Sequence, residues 1–395
     1  MYDVIVVGAR CAGAATALLF ARAGYRVLML DRARFPADTL STLYIHQPGV
    51  ARLSAWNLLE RVVLTGCPSL DSVLVRDGDV CVAGSSWPID GMRTAYAPRR
   101  YLLDQILAEA AVDAGVEFRD GCRVDELLFD HDRVVGVRCR TPTGRSAPEY
   151  ATLVVGADGM RSRVARQVRA PHLIEDAPMT CAYFTFWPWT SHELELYEAP
   201  GSLVGVIPTN DGASIVGVYF PQREFPWIRA DALPRYLERI RTVAPVVHDR
   251  IAGSEQLERL YGTGHQLNFF RQAAGPGWAL VGDAAHHKDS ITARGITDAF
   301  LQAEMLVTAV GAGLHDEGLL HDALDRYATE SMQLLIDTYQ STLSAGLLDA
   351  GEDRRALLRA VASSPDLVER YFAAVAGDCT IEELYTPELV DLLDA

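Results

Sequence analysis

The opening stretch of the chain, Met1 to Asp31, restricts the fold more than any other. An apolar run, Val4-Ile5-Val6-Val7, leads into a glycine-punctuated turn from Gly8 to Gly13, then an Ala/Leu-rich stretch to about Ala23. A second apolar run, Val27 to Leu30, follows and ends on Asp31. Two short apolar runs flanking one helical segment predict a βαβ unit, because parallel strands need a crossover connection. Such a unit sets the helix N-terminus at the carboxyl end of the first strand, where unpaired backbone N–H groups and the helix dipole attract an anion. An acidic residue closing the second strand suits a ribose diol, and Asp31 stands 23 residues after Gly8, near the expected offset of about 20. The turn reads Gly8-Ala9-Arg10-Cys11-Ala12-Gly13, so Arg10 replaces the middle glycine of a dinucleotide-binding turn. A negative φ tolerates that residue, and an arginine there can lean toward a phosphate. The plain alternative is a glycine-punctuated βα turn with no ligand.

Helical spacing recurs over residues 100–115, and short runs at Val124–Phe129, Val134–Arg138 and Thr152–Val155 predict strands. From Met179 to Phe220 the texture becomes alternating, with a polar Asn210-Asp211-Gly212 turn between Leu203–Ile207 and Ile215–Phe220, which predicts an antiparallel sheet. A helix is expected over Asp231–Thr242, extended chain over Leu257–Phe270, a strand at Trp278–Val281, and helices from Gly295 to the end. The β-rich part therefore reads as an insertion between pieces of one α/β unit.

With 395 residues the chain has length for two or three structural units. Hydrophobic residues at 49% and charged residues at 22% exclude a disordered or collagen-like chain. The 52 Asp and Glu against 36 Lys and Arg give a net charge of −16, which disfavours a nucleic-acid partner. Seven scattered cysteines, with no CxxC pair, predict reduced thiols and no metal site. The N-terminus enters the first strand directly and no run of 18 apolar residues occurs, so no integral membrane segment is expected and a cytoplasmic protein is the default.

Two further motifs complete an ordered set. Gly156-Ala157-Asp158-Gly159-Met160-Arg161-Ser162 follows one predicted strand, and Gly282-Asp283-Ala284-Ala285-His286 follows another. An N-terminal dinucleotide turn, a mid-chain GADGxxS and a later GDAAH leading into a helix together resemble the single-component FAD-dependent monooxygenases of the p-hydroxybenzoate hydroxylase fold. That fold also includes geranylgeranyl-reductase-like enzymes and flavin-dependent halogenases. The resemblance covers roughly residues 1–310. It implies a Rossmann-type α/β FAD-binding domain with an inserted antiparallel β-sheet substrate domain and a C-terminal helical segment. The implied division is 1–72, 97–170 and 271–341 for the FAD-binding domain, 73–96 and 171–270 for the substrate sheet, and 342–395 for C-terminal helices.

The same resemblance assigns residues. Gly8, Arg10, Cys11, Ala12, Gly13, Asp31 and Arg32 would hold the ADP half of FAD. Arg100 starts a match to the family's RxxLD helix, Asp158 and Gly159 form its DG motif, and Gly282 and Asp283 would lie beside the pyrophosphate or ribityl chain. Each also has a structural reading: Arg100 as a solvated helix residue, the aspartates as turn or N-cap residues. The loop after GDAAH would pass the flavin ring, and a helix beginning at Gly295 and Ile296 would aim its N-terminus at the ring's pyrimidine end, where charge appears on reduction. That loop lacks the proline usual in the family.

Tyr44, Tyr183, Phe186 and Phe220 are expected in an apolar substrate pocket, and His46 is the candidate acid–base group, against simple packing for each. NADPH or NADH would serve as a transient hydride donor, since Gly262-Thr263-Gly264-His265 makes no second dinucleotide turn. The implied chemistry is reaction of the reduced flavin with oxygen and attack of an electron-rich aromatic or polyketide-like small molecule on a flavin hydroperoxide. A reductase without oxygen insertion is the alternative. Halogenation and a non-catalytic flavin-binding role rank below both: the family's halogenases carry a tunnel lysine and a WxWxIP string, whereas the single lysine here is Lys288 in the flavin loop and Trp187-Pro188-Trp189 is a different string.

Overall fold

A computed structural model describes residues 1–395 except Pro142, Thr190 and Ala395. Five strands run parallel in the order Trp278–Leu280, Ser146–Gly156, Tyr2–Val7, Val27–Leu30, Glu117–Arg119. Tyr2–Val7 lies at the centre, and Val4, Ile5 and Val6 have no solvent exposure, which is why that run is apolar on both faces. The helices Cys11–Arg22, Arg100–Asp113 and Gly295–Val310 pack together over this sheet. Register places Val7 beside Leu30 and Gly156, and Gly156 beside Leu280. Gly8, Asp31, Asp158 and Gly282 consequently follow their strands at the same carboxyl edge, where open α/β sheets bind ligands.

A second sheet of seven strands has the order Tyr261–Thr263, Thr180–Trp187, Ser214–Pro221, Ser202–Pro208, Glu193–Ala199, Ser72–Asp77, Val80–Gly84. It is mixed rather than wholly antiparallel: Glu193–Ala199 pairs in parallel with Ser72–Asp77. The reason is connectivity. Ser72–Asp77 arrives on a separate excursion of the chain, so no hairpin forces it to oppose its neighbour. Glu193–Ala199 carries Glu193, Glu195 and Glu198, which hide its strand character in the sequence. Glu195 is nevertheless buried, because the Arg250 guanidinium lies 2.8 Å away and Tyr197 donates its hydroxyl at 2.5 Å. Within the expected extended run Leu257–Phe270, Tyr261–Thr263 is one strand and a second, Asn268–Arg271, begins near its end.

The two faces of this sheet have different covers. One packs on helices Ala232–Val243 and Pro245–Ile251 through Tyr236, Ile240 and Val247. The other packs on the C-terminal helices Glu352–Ala362 and Pro365–Ala376 through Leu358, Val361 and Phe372, together with Leu43 and Tyr44. The long helix Glu317–Gly346 runs unbroken past residue 342 before these begin. All seven cysteines are free thiols, and no helix among the described residues is long and apolar enough to cross a membrane.

Candidate active site

The first turn is shaped by two glycines that no other residue can replace. Gly8 has φ +106°, and a Cβ there would lie 2.3 Å from the Ala157 carbonyl oxygen. A Cβ on Gly13 would lie 1.8 Å from the Gly8 carbonyl oxygen. Arg10 adopts φ −83° as the N-cap of the helix and offers no side-chain cap, so the first-turn N–H groups of Cys11–Gly13 have no side-chain partner. A Cβ on Gly282 would sit 2.7 Å from the Ala12 Cβ, so the Gly282–Ala284 turn is pressed against that helix start. The Asp31 carboxylate accepts the Ala9 and Ala33 N–H groups, each at 2.8 Å, and a lone pair on each oxygen is left for a diol. Arg32 is exposed beside it.

Arg10 does not reach over the helix start. Its guanidinium is 3.1 Å from Asp104, a fully buried carboxylate that also takes Arg100 at 3.0 Å and the Cys11 thiol at 3.2 Å. Burial pushes that thiol well above its ordinary value, so Cys11 is an uncharged donor. Asp104, the aspartate that closes the RxxLD match, is the organising residue, although only Arg100 of that match was assigned to the site. The signal was present in its placement four residues after Arg100 on one helix, where the two side chains face each other.

Asp158 turns its carboxylate inward. One oxygen accepts the Ser162 hydroxyl at 2.5 Å and the other the Arg163 N–H at 2.6 Å, so it shapes the start of the helix Arg163–Gln167; Gly159 follows at φ +81°. Asp283, by contrast, is half-buried, and its carboxylate makes no hydrogen bond among the described residues.

The helix Gly295–Val310 begins with a second N-terminus that lacks a side-chain cap, at Gly295 and Ile296. Beneath it lies a buried charge cluster: Lys288 pairs with Asp298, and Arg294 approaches Asp298 at 3.3 Å. Burial alone would raise the Asp298 carboxyl, and the Lys288 and Arg294 charges outweigh it and hold the group below the usual carboxylate range. Burial lowers the Lys288 ammonium, with Asp298 opposing. Arg294 also donates to the Ala376 carbonyl, tying the C-terminal helices to this loop. Neither Arg294 nor Asp298 stood out in the sequence.

His46 is 4% exposed, and its Nε2–H donates to the Thr292 carbonyl at 3.0 Å, which fixes the tautomer because a carbonyl only accepts. Burial, then the Arg294 charge, push its pKa down to about 3, so the ring is neutral at ordinary pH. It acts as a strut between the helix Gln47–Ala55 and the loop, with Tyr44 edge-on at 4.7 Å. Of the expected pocket aromatics, Tyr44 and Phe186 lie on the sheet face covered by the C-terminal helices. Tyr183 and Phe220 are a correction: strand alternation turns them to the opposite face, where they pack on the helices behind the sheet.

The donor set fits FAD. Two open helix starts, a carboxylate placed for a diol, Asp283 free at the sheet edge and Arg100 held by Asp104 match a diphosphate with a ribose at one end and a charge-accepting ring at the other. Fold and site together define an FAD-dependent oxidoreductase. The chain belongs to the FAD binding domain family, whose sequence profile matches residues 1–341, and its fold is of the p-hydroxybenzoate hydroxylase kind.

It is similar to the digeranylgeranylglycerophospholipid reductase of Methanosarcina mazei, 27% identical over 330 residues that cover 79% of this chain and 76% of the relative. It is likewise similar to the 6-methylpretetramide 4-monooxygenase of Streptomyces rimosus, 27% identical over 338 residues covering 82% and 79%. The solved structure of the flavin-dependent brominase Bmp2 shares the fold, with a TM-score of 0.81 at 17% identity over 98% of this chain and 96% of that one.

Proposed function

We propose that this flavoprotein is an NAD(P)H-using monooxygenase that hydroxylates or epoxidises an electron-rich aromatic or polyketide-like small molecule. The observation that carries the proposal is the placement of loop residues Ser290–Ala293 against an apolar sheet face roofed by the C-terminal helices: Tyr219 donates to the Ser290 carbonyl at 3.0 Å, while Ile291 and Ala293 pack on that face. Bound at the carboxyl edge of the parallel sheet, FAD supplies two-electron redox chemistry and activation of oxygen. The protein's share is to hold the diphosphate on the Cys11–Gly13 amides, to set the Gly295 helix start toward developing negative charge, and to keep the substrate space dry. His46, neutral and engaged with the Thr292 carbonyl, orients the loop.

The similarity to the Methanosarcina reductase favours a second reading, a flavin-dependent reductase or dehydrogenase without oxygen insertion. Halogenation remains disfavoured, because the Lys288 ammonium is buried against Asp298. The experiment is to supply NADH and NADPH with ¹⁸O₂ across phenols and polycyclic phenols. Substrate-stimulated oxidation with one ¹⁸O in the product supports the proposal; product formed under anaerobic conditions transfers the assignment to a reductase.

A further inference from the structure

Gly205 and Gly217 stand side by side in the middle of the seven-stranded sheet, paired across Ser202–Pro208 and Ser214–Pro221. Leu196 and Phe184 extend the same row on either side. The row belongs to the face that meets the loop, since Tyr219, two residues beyond Gly217 on its strand, bonds Ser290. A glycine inside a strand weakens it, and it commonly marks a place where something approaches the backbone closely. Elsewhere in this sheet that something is protein: a Cβ on Gly262 would lie 2.3 Å from the Tyr183 ring. Over the pair it is not. A Cβ on Gly217 would find only the Phe184 Cβ within 4 Å, at 3.9 Å, and one on Gly205 only the Leu196 Cδ2, at 3.5 Å. Gly217 keeps partial exposure although its strand neighbours Val216 and Val218 have none.

The side-chain layer is therefore thin over two adjacent strands, with Gly217 half-buried and Gly205 buried yet meeting only Leu196 within 4 Å of an added Cβ, and the missing side chains leave a hollow about as wide as two strands at about 4.8 Å each. Phe186, Ile207 and Ile215 border it on one side, and Leu203, Tyr219 and Leu348 on the other. The one polar group among these six, the Tyr219 hydroxyl, is already bonded to Ser290. Arg99, stacked 4.0 Å over Phe186, is ion-paired with Asp38 at 2.8 Å and Glu258 at 2.5 Å. Among these described residues, none is an unpaired cation that would receive a carboxylate.

We infer that Gly205 and Gly217 are specificity-determining residues that floor the substrate cavity, and that the cavity takes a neutral, flat, fused aromatic ring system rather than a carboxylated one. The inference rests on the proposed function for what happens to the ring, and on the hollow alone for its binding. The test is titration of the oxidised, FAD-loaded protein with 1-naphthol and with 1-hydroxy-2-naphthoate, read by flavin absorbance and by naphthol fluorescence. Saturable binding of 1-naphthol is expected, with the carboxylated probe at least tenfold weaker. Gly205→Val and Gly217→Val should each weaken 1-naphthol more than tenfold, and Gly217→Ala by a smaller factor. Flavin content and melting temperature of each variant report whether the fold is intact; the methyl added in Gly217→Ala meets no protein clash.

Unchanged 1-naphthol binding in folded variants, equal binding of the carboxylated probe, or no saturable binding by the parent protein overturns the inference. Because this readout uses neither nicotinamide nor oxygen, a protein that binds as expected yet inserts no ¹⁸O keeps the cavity and loses the monooxygenase assignment.

Discussion

Asp104 and Arg10 lie 94 residues apart in the chain and form a 3.1 Å ion pair beside the dinucleotide turn. Arg10, which replaces the middle glycine, is thereby pulled away from the helix start and becomes a brace between the first helix and the helix Arg100–Asp113. The first-turn amides stay open for an anion, and a motif that looks damaged keeps its chemical capacity.

Asp104→Ala should be far more damaging than Arg10→Met. Removing the carboxylate strands the buried Arg100 and is expected to cost about 3–5 kcal/mol. The Arg10 side chain is 30% exposed, so its loss should cost below about 1 kcal/mol. Thermal melts with and without excess FAD measure both, and equal costs would sink the central role given to Asp104.

The glycines separate into two kinds. Gly13→Ala drives a Cβ into the Gly8 carbonyl and should destabilise by about 3 kcal/mol or more. Gly295→Ala meets no protein atom within 4 Å, so apoprotein stability should hold within about 0.5 kcal/mol. Its FAD affinity should nevertheless fall about tenfold, or about 1.4 kcal/mol, if the ring passes over it. Fluorescence titration of apoprotein with FAD checks this, and unchanged affinity would remove Gly295 from the cofactor site.

In the buried cluster, Asp298 faces two cations, Lys288 and Arg294. Lys288→Met leaves one balanced pair, whereas Asp298→Ala leaves two buried cations uncompensated. The aspartate variant should therefore lose at least about 2 kcal/mol more in urea unfolding. The reverse order would show that Lys288 is stabilised by something other than Asp298.

Stability should decline with acid partly through His46. With its folded pKa near 3 and an unfolded value of about 6.5, only the unfolded chain takes up this proton between the two. Stability is full above about 6.5 and falls toward pH 3, by up to about 1.4 kcal/mol per pH unit from this group. His286, lowered by burial in the same direction, adds to the slope. His46→Gln retains a donor for Thr292 and should flatten the curve between pH 6 and 4 in denaturation series; identical slopes for parent and variant would refute the assignment.

Local periodicity and turn chemistry made the βαβ unit, the helix at Arg100 and the hairpin Ser202–Pro221 legible, because each depends on neighbours within a dozen residues. The strand Glu193–Ala199 was not legible, since its three glutamates suit an interior strand only once Arg250 and Arg354 are beside them. The same holds for His46, whose chemistry as a free imidazole suggested a proton carrier until burial and Thr292 made it a strut.

The sequence by itself determined the backbone at the end of the parallel sheet: a glycine turn, an acidic strand end, the Asp158-Gly159 turn and the Gly282-Asp283 turn specify conformations that are local. Tertiary structure decided what sits opposite that cofactor edge. Alternation along Thr180–Trp187 states that Tyr183 and Phe186 point apart, and only packing against Ala232–Val243 on one side and the C-terminal helices on the other assigns each to its face. The hollow over Gly205 and Gly217 is likewise invisible in one dimension, because empty space is a property of what surrounds a residue and not of the residue itself.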